Sequence, residues 1–294
     1  MIISKGKKFK HFCLIELFFS VVISFVFSSC QKESEVVGLA ATAQFSDKSL
    51  SDNLVTKLRV KLITTSAFKG LGKDYQMVAE SVWQDKFIFK EKLNITPQTS
   101  KWLPNRVYET EKYVYIPPFI DRFNLQMSRG IEADFRIVLE PAGPGPYLVI
   151  FRRSISISPC PLDVPDIVFL EGWEKVNPTR AATGNSLFEL WSQKQAVCLL
   201  KNPERPAILM IRGQNEVVEG QRVSIYLGSS QLDEFNLSPG PFEKIYSLTP
   251  GQLGSDPELK LVISVDKTIK INELYPGIEN GRELGLKIDT LYFR

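Results

Sequence analysis

Through most of this sequence apolar side chains return at every second position, and that period restricts the chain to half-buried strands rather than helices. Leu58, Val60 and Leu62 alternate with Arg59 and Lys61, Phe87 and Phe89 with Lys86 and Lys90, and Phe135, Ile137 and Leu139 with Arg136. Further strands are expected over Tyr75 to Trp83, Val107 to Ile116 and Tyr147 to Ile157. The later half repeats the pattern with Val223, Ile225 and Leu227, with Leu259, Leu261, Ile263 and Val265, and with Leu284, Leu286 and Ile288. Between these runs stand turn formers such as Gly70-Leu71-Gly72, Pro117-Pro118, Pro141 to Pro146, Gly228-Ser229-Ser230 and Ser238 to Pro241. Short alternating strands separated by Gly and Pro describe an all-β sandwich. No stretch of ten residues carries a 3.6-residue apolar stripe, and one short helix is expected near Leu248 to Leu253, after Thr249 and Pro250.

With 294 residues, 44% of them hydrophobic, the chain can bury about two cores. Pro159, Pro161 and Pro165 surround Cys160, and none of the three can donate to a sheet ladder. The sequence therefore reads as one β-sandwich over residues 45–158, a Pro-rich linker over 159–165 and a second sandwich over 166–294. No repeat of the solenoid kind is present.

Charge and histidine content exclude several function classes. The formal charge is +3, but removing the four lysines and one glutamate that precede Cys30 from 36 basic and 33 acidic residues leaves 32 of each. A neutral chain lacks the cationic footprint of a nucleic-acid binder. The one histidine, His11, lies in the same leading segment, so the remainder has neither a histidine triad nor a His-ligated metal site. No Asp-x-Asp-x-Asp-Gly loop is present, which excludes an EF-hand. Acids such as Asp163, Asp166 and Glu171 stand in no recognisable catalytic setting. No enzyme activity, cofactor or metal-ligating motif is expected, while a structural Ca²⁺ held by loop carbonyls and acids would leave no mark in the sequence. Cys160 lies among prolines, whereas Cys198 lies in the apolar run Ala196 to Leu200 and reads as core, so pairing between them stays open. Asn94-Ile95-Thr96 and Asn236-Leu237-Ser238 match the glycosylation acceptor pattern and are read as chance.

The first 29 residues have the order of a signal peptide: Lys5, Lys7, Lys8 and Lys10, then an apolar run from Leu17 to Phe27, then Ser28-Ser29 directly before Cys30. This order resembles a bacterial lipoprotein signal, with Phe27 where that signal usually has Leu. The resemblance implies cleavage before Cys30 and lipid modification of its thiol. Several acyl chains on one residue make a stable anchor, since each buried CH₂ contributes about 0.8 kcal/mol. Residues 30–44 then read as a tether. A cell-envelope location is expected, the outer membrane being favoured over the inner by Gln31 after the cysteine.

In its order of features the remainder resembles the paired β-sandwich regions that accompany some bacterial membrane glycosyltransferases. The features are the strand around Val78 to Trp83, Pro97 to Trp102, the strand from Tyr108 to Pro117, Gly172-Trp173-Glu174, Leu190-Trp191, and Gly281 to Leu286. The resemblance implies an Ig-like sandwich followed by a jelly-roll-like domain similar to carbohydrate-binding modules. It supplies no catalytic residue, because this chain lacks the spanning helices of a glycosyltransferase.

A glycan site needs an aromatic face for the pyranose and polar groups for its hydroxyls. Trp173 and Trp191 are the candidate aromatics, and Glu174, Glu189 and Arg282 the candidate polar groups. Two structural alternatives stand beside this reading. Both tryptophans suit a sandwich core, and Arg282 suits a clamp on the C-terminal strand through carbonyls or an acid such as Asp289. The expected function is that of a lipid-anchored, non-enzymatic envelope protein that binds an envelope glycan through its C-terminal domain. The alternative is a structural or assembly subunit that binds a protein partner in an envelope glycan-processing complex.

Overall fold

The computed structural model describes residues 36–119, 130–161, 167–176, 189–216, 219–276 and 281–294. Cys30, the signal segment and most of the expected linker lie outside the described residues. The chain divides into two compact units. Among the described residues, one holds those up to Phe45, Leu58–Lys112 and Ala133–Ile155; the other holds Ser46–Lys57, those between Tyr113 and Glu132, and those from Ser156 to Arg294.

Eight strands come first: β1 (Leu39–Phe45), β2 (Leu50–Ser51), β3 (Leu54–Thr64), β4 (Tyr75–Trp83), β5 (Lys86–Leu93), β6 (Val107–Ile116), β7 (Ile131–Pro141) and β8 (Leu148–Ser158). They form one sheet in the order β1-β3-β6 and another in the order β2-β8-β7-β4-β5, with β2 running parallel to the end of β8. That is the Ig-like arrangement of strands A, B and E on one sheet and G, F, C and C′ on the other. The period-two pattern is realised in β3, where Leu58, Val60 and Leu62 are fully buried while Arg59 and Lys61 are exposed. Phe45 of β1 meets Phe135 of β7 with ring centroids 5.0 Å apart, so the inner faces of the two sheets touch. A 3₁₀ turn over Thr99–Lys101 leads to Trp102, whose ring stacks on Tyr108 at 5.1 Å and whose indole N–H donates to the Pro97 carbonyl at 3.1 Å.

The remaining strands are β9 (Ile167–Phe169), β10 (Trp173–Val176), β11 (Glu189–Ser192), β12 (Gln195–Lys201), β13 (Ala207–Asn215), β14 (Gln221–Leu227), β15 (Ser230–Leu237), β16 (Gly240–Leu248), β17 (Glu258–Val265), β18 (Ile269–Lys270), β19 (Glu283–Leu284) and β20 (Lys287–Phe293). Two helical turns, α1 (Pro250–Leu253) and α2 (Ile271–Leu274), interrupt them. Five strands pair as β10-β11-β20-β13-β16 and five as β15-β14-β17-β12-β9, the two sheets of a jelly-roll-like sandwich, with β18 and β19 as a separate pair. The chain is therefore all-β. The expected helix is α1, where Thr249 and Gln252 form a capping box and Pro250 takes a first-turn position at which no N–H is needed. The second turn, α2, carries no apolar stripe or side-chain cap and is a finding of the structure.

Alternation along β13 serves two clusters. Ala207, Leu209 and Ile211 enter the sandwich core with Cys198, Val223, Ile225, Leu261, Ile263 and Phe293. From the opposite face, Ile208 and Met210 pack with Val55, Tyr113, Tyr115, Ile245 and Tyr292. A strand apolar on both faces is covered on both.

Candidate functional site

Trp173 and Glu174 are consecutive in β10 and must point to opposite faces of the sheet. Gly172 makes the entry into β10 possible: it has φ +77°, and a Cβ there would lie 1.8 Å from the Gln195 carbonyl oxygen. The half-buried Trp173 ring packs against the sandwich core, its N–H donates to the Val197 carbonyl at 2.8 Å, and Phe169 meets it edge-on at 5.1 Å. Trp191 is paired with Glu174 across the β10–β11 ladder and is fully buried, in a cluster with Val176, Ile271 and Leu284. The stacking role expected of Trp191 is therefore corrected: a ring with no exposed face has none to offer a sugar.

Glu174, Glu189 and Arg282 are brought together around Trp191, but as its polar cover. Arg282 forms an ion pair with Glu174, whose other oxygen accepts from Gln193 Nε2 at 2.7 Å. Arg282 thus pairs with an acid of β10, a different partner from the C-terminal-strand carbonyls or Asp289 expected for it. Glu189 accepts from Lys287 Nζ at 2.7 Å, from the Tyr275 hydroxyl at 2.5 Å and from the Trp191 indole N–H at 3.3 Å. Burial pushes the Glu189 carboxyl up, yet the bonds from Lys287 and Tyr275 and the Lys287 charge outweigh it and hold the group below its ordinary value. At Asp289 burial outweighs the Lys287 charge and a hydrogen bond with Gln214 and holds the pKa above the ordinary value.

A different set of residues lines an open cavity of about 530 Å³, a size within the range of small-ligand sites. Leu54, Val55, Pro206, Ile208, Tyr113 and Tyr292 supply its apolar walls, and Ser46, Asp47, Thr56, Lys57, Arg205 and Arg294 its polar groups. Tyr113 and Tyr115 alternate in β6 with the fully buried Val114 and Ile116, which turns both tyrosines to the other face. The Tyr113 ring is half-buried, with Lys57 Nζ 5.1 Å from its centroid and its hydroxyl 3.3 Å from Ser247 Oγ.

Each wall is braced locally. Asp47 Oδ2 accepts from the Thr56 hydroxyl at 2.6 Å and from the Ser46 hydroxyl at 3.2 Å, and the Ser46 N–H donates to the Lys57 carbonyl at 2.8 Å. On the other side the buried Asn202 fixes the turn that presents Arg205. Its Oδ1 accepts from the Glu204 N–H at 3.0 Å, and its Nδ2 donates to the carbonyls of Gly254 at 3.2 Å and Asp256 at 2.8 Å. Arg294 Nη1 donates to Ser51 Oγ at 3.3 Å.

Sequence reasoning missed this set because its members come from segments more than fifty residues apart. One signal was available: Tyr113-Val114-Tyr115-Ile116 is apolar on both faces, so the aromatic face needs either a cover or a ligand. Cys160 and Cys198 form no disulfide with each other, which answers the pairing left open, and burial pushes the Cys198 thiol up to about 12. Among the described residues no group of three or more Asp, Glu, His or Cys side chains is placed to hold a metal ion.

No family model matches this chain, and no curated protein does. Solved structures similar to it include a carbohydrate-binding module studied for promiscuous specificity within the β-sandwich superfamily, 10% identical, with 89% of this chain and 100% of that one covered and a TM-score of 0.24. TmCBM61 in complex with β-1,4-galactotriose is 11% identical, covers 44% of this chain and 87% of its own, and gives a TM-score of 0.23. The secreted serine protease VesC from Vibrio cholerae is 8% identical with a TM-score of 0.23; the match covers 92% of this chain, which spans 53% of the protease chain. Likeness at this level carries no argument about what the chain binds.

Proposed function

We propose that this chain is a lipid-anchored, non-enzymatic cell-envelope protein that binds an envelope glycan, and that the glycan enters the cavity beside Tyr113. The observation that carries the reading is the joining, in one cavity of about 530 Å³, of a half-buried tyrosine ring with the Ser46 hydroxyl and the charged side chains of Asp47, Lys57 and Arg205. A sugar needs that combination: a ring to meet its C–H face and a few convergent polar groups to take its hydroxyls. A glycan array followed by calorimetry on the full chain tests it. Tyr113→Ala is expected to weaken binding at least about tenfold while circular dichroism stays that of a folded β protein. Unchanged binding would overturn the assignment of the site. Intact mass of the native protein tests the anchor, with Cys30 expected as the lipidated first residue.

A second reading, a subunit that binds a protein partner, is favoured by the surface of β9 and the residue after it. Val168, Phe169 and Leu170 are 50%, 44% and 48% exposed on a strand at the end of its sheet. Three neighbouring exposed apolar side chains on an edge strand suit strand-to-strand recognition. Co-purification of an envelope protein that Phe169→Glu abolishes and Tyr113→Ala does not would support this reading over the first.

A further inference from the structure

We propose that the end at which the chain enters the Ig-like sandwich rests on the membrane surface, with Lys69, Lys73, Lys101 and Arg106 among anionic lipid headgroups and Val37 and Leu103 at the edge of the acyl layer; the proposal rests on the reading that Cys30 is lipidated. Strand β1 begins at Leu39, and the described residues start at Val36, six positions after Cys30. Six residues span at most about 20 Å even when fully extended, so an anchor at Cys30 holds this end close to the bilayer. Two loops share the same end: residues 65–74 join β3 to β4, and residues 94–106 join β5 to β6. Hydrogen bonds tie the loops to each other and to the chain entry. The Thr65 N–H donates to the Gly38 carbonyl at 2.8 Å, the Thr64 N–H to the Arg106 carbonyl at 2.9 Å, the Thr64 hydroxyl to the Leu103 carbonyl at 2.6 Å, and the Ser100 N–H to Asp74 Oδ1 at 3.0 Å. Each loop also buries one aromatic, Phe68 or Trp102, and leaves the neighbours Lys69, Lys101 and Leu103 exposed.

The surface so displayed suits a bilayer in both charge and polarity. The two loops carry Lys69, Lys73, Lys101 and Arg106 against one acid, Asp74, whereas the β4–β5 turn at the opposite end carries Asp85 and Lys86, one charge of each sign. Among the described residues eight large apolar side chains are exposed, and four of them, Val37, Ile63, Leu103 and Val107, stand at this one end, at 73%, 42%, 57% and 54%. Long cationic side chains lay their stems along apolar groups and place their charges at headgroup phosphates, which is how basic segments are held on anionic bilayers. Acyl chains alone fix the distance of a domain from the membrane and leave its orientation free. A rigid pair of loops that is both cationic and apolar, within reach of the anchor, supplies the orientation.

The test inserts the native lipidated chain into preformed vesicles of phosphatidylethanolamine and phosphatidylglycerol, acetylates its lysines briefly, and reads each site by mass spectrometry against the same protein in neutral detergent. Lys69, Lys73 and Lys101 are expected to react at least about fivefold more slowly on the vesicles, an effect that shrinks with added salt and on phosphatidylcholine vesicles, while Lys86 reacts equally throughout. In the combined variant Lys69→Glu, Lys101→Glu and Arg106→Glu, with circular dichroism unchanged, Lys73 should regain its detergent rate. Equal rates on vesicles and in detergent, in a chain whose intact mass shows lipid on Cys30, would overturn the proposal and leave the anchor standing. Equal protection on neutral and anionic vesicles would overturn the assignment to anionic headgroups, and protection that arises only when an envelope extract is added would assign the surface to a protein instead. An intact mass without lipid would overturn the anchor and the proposal together.

Discussion

The region around Trp191 and the cavity beside Tyr113 use the same materials, an aromatic ring, lysine, arginine and acids, and arrive at opposite results. Around Trp191 each charge has a close partner: Arg282 with Glu174, and Lys287 with Glu189 and Glu216 at 2.7 and 3.4 Å. The ring beneath is fully buried, and α2 contributes Ile271 to the same cluster. Beside Tyr113 the walls stand apart, one braced by Asp47 and Thr56 and the other by Asn202, and space remains between them. Residue type therefore does not separate a core clamp from a binding site. Access to the ring does.

The largest test of that contrast is truncation of the two rings. Trp191→Ala is expected to cost about 3 to 5 kcal/mol, the usual range for removing a large buried aromatic, and to unfold a marginal domain. Tyr113→Ala removes a half-buried ring and should cost about 1 kcal/mol, within the ordinary range for single substitutions. Urea unfolding of the two variants measures both. Similar losses would break the distinction between closed cluster and open cavity.

Next in size is Glu189→Gln, expected to destabilise by about 1.5 to 3 kcal/mol at neutral pH, because bonds to charged groups are lost and Lys287 keeps only its longer contact with Glu216. The pH dependence gives the sign. Glu189 is held below its unfolded value of 4.5, so the stability it contributes is present above that value and is lost as pH falls through the folded one. The gap between wild type and Glu189→Gln should therefore close under acid conditions. Asp289 acts in the opposite sense: its raised pKa contributes stability at low pH that is lost as pH rises through the raised value. Asp289→Asn should accordingly reduce the penalty at neutral pH. Midpoints of thermal unfolding between pH 3 and 7 separate the two residues.

Much of the fold was legible in the sequence, and the reason is local. Tyr75–Trp83 and Val107–Ile116 form strands with the expected limits, since each is an alternating or apolar run bounded by turn formers. The Thr249-Pro250 start likewise announced α1. The site was less legible, because it depends on distant pairing. That Trp173 and Glu174 face opposite ways follows from neighbouring positions in a strand, but that Trp191 lies beneath the Glu174–Arg282 pair depends on the β10–β11 register and on a residue over one hundred positions away. In the same way nothing local ties Lys57 to Tyr113 or to Arg205. Strand alternation reports which face a side chain takes and is silent on what covers that face.

Asn202 offers a test that belongs to the cavity alone. It is buried, and its side chain satisfies one backbone N–H and two or more backbone carbonyls in the turn that carries Arg205. Asn202→Ala should cost about 1 to 3 kcal/mol, the penalty of leaving buried polar groups unmade. Because the turn also presents Arg205, the loss should come with weaker saccharide binding, whereas Glu189→Gln should leave that binding unchanged. Binding and denaturation measured on the same two variants decide whether scaffold and site are coupled here.

The smallest expected effects are those at Lys57 and Arg205, set against a lysine of the closed cluster. Lys287 has a side chain only 16% exposed and two acidic partners, so Lys287→Gln should lower stability by about 1 to 3 kcal/mol as Glu189 is left without its principal donor. Arg205 is exposed on a turn, and Lys57 lies over a tyrosine ring, an arrangement worth about 0.5 to 1 kcal/mol at an exposed site. Arg205→Gln should therefore change stability by no more than about 0.5 kcal/mol, and Lys57→Gln by less than about 1 kcal/mol. Chemical denaturation of the three single variants checks the ranking. If Lys57 or Arg205 proved as costly to replace as Lys287, the cavity would be a second structural clamp, and its positive charge would serve the fold rather than a ligand.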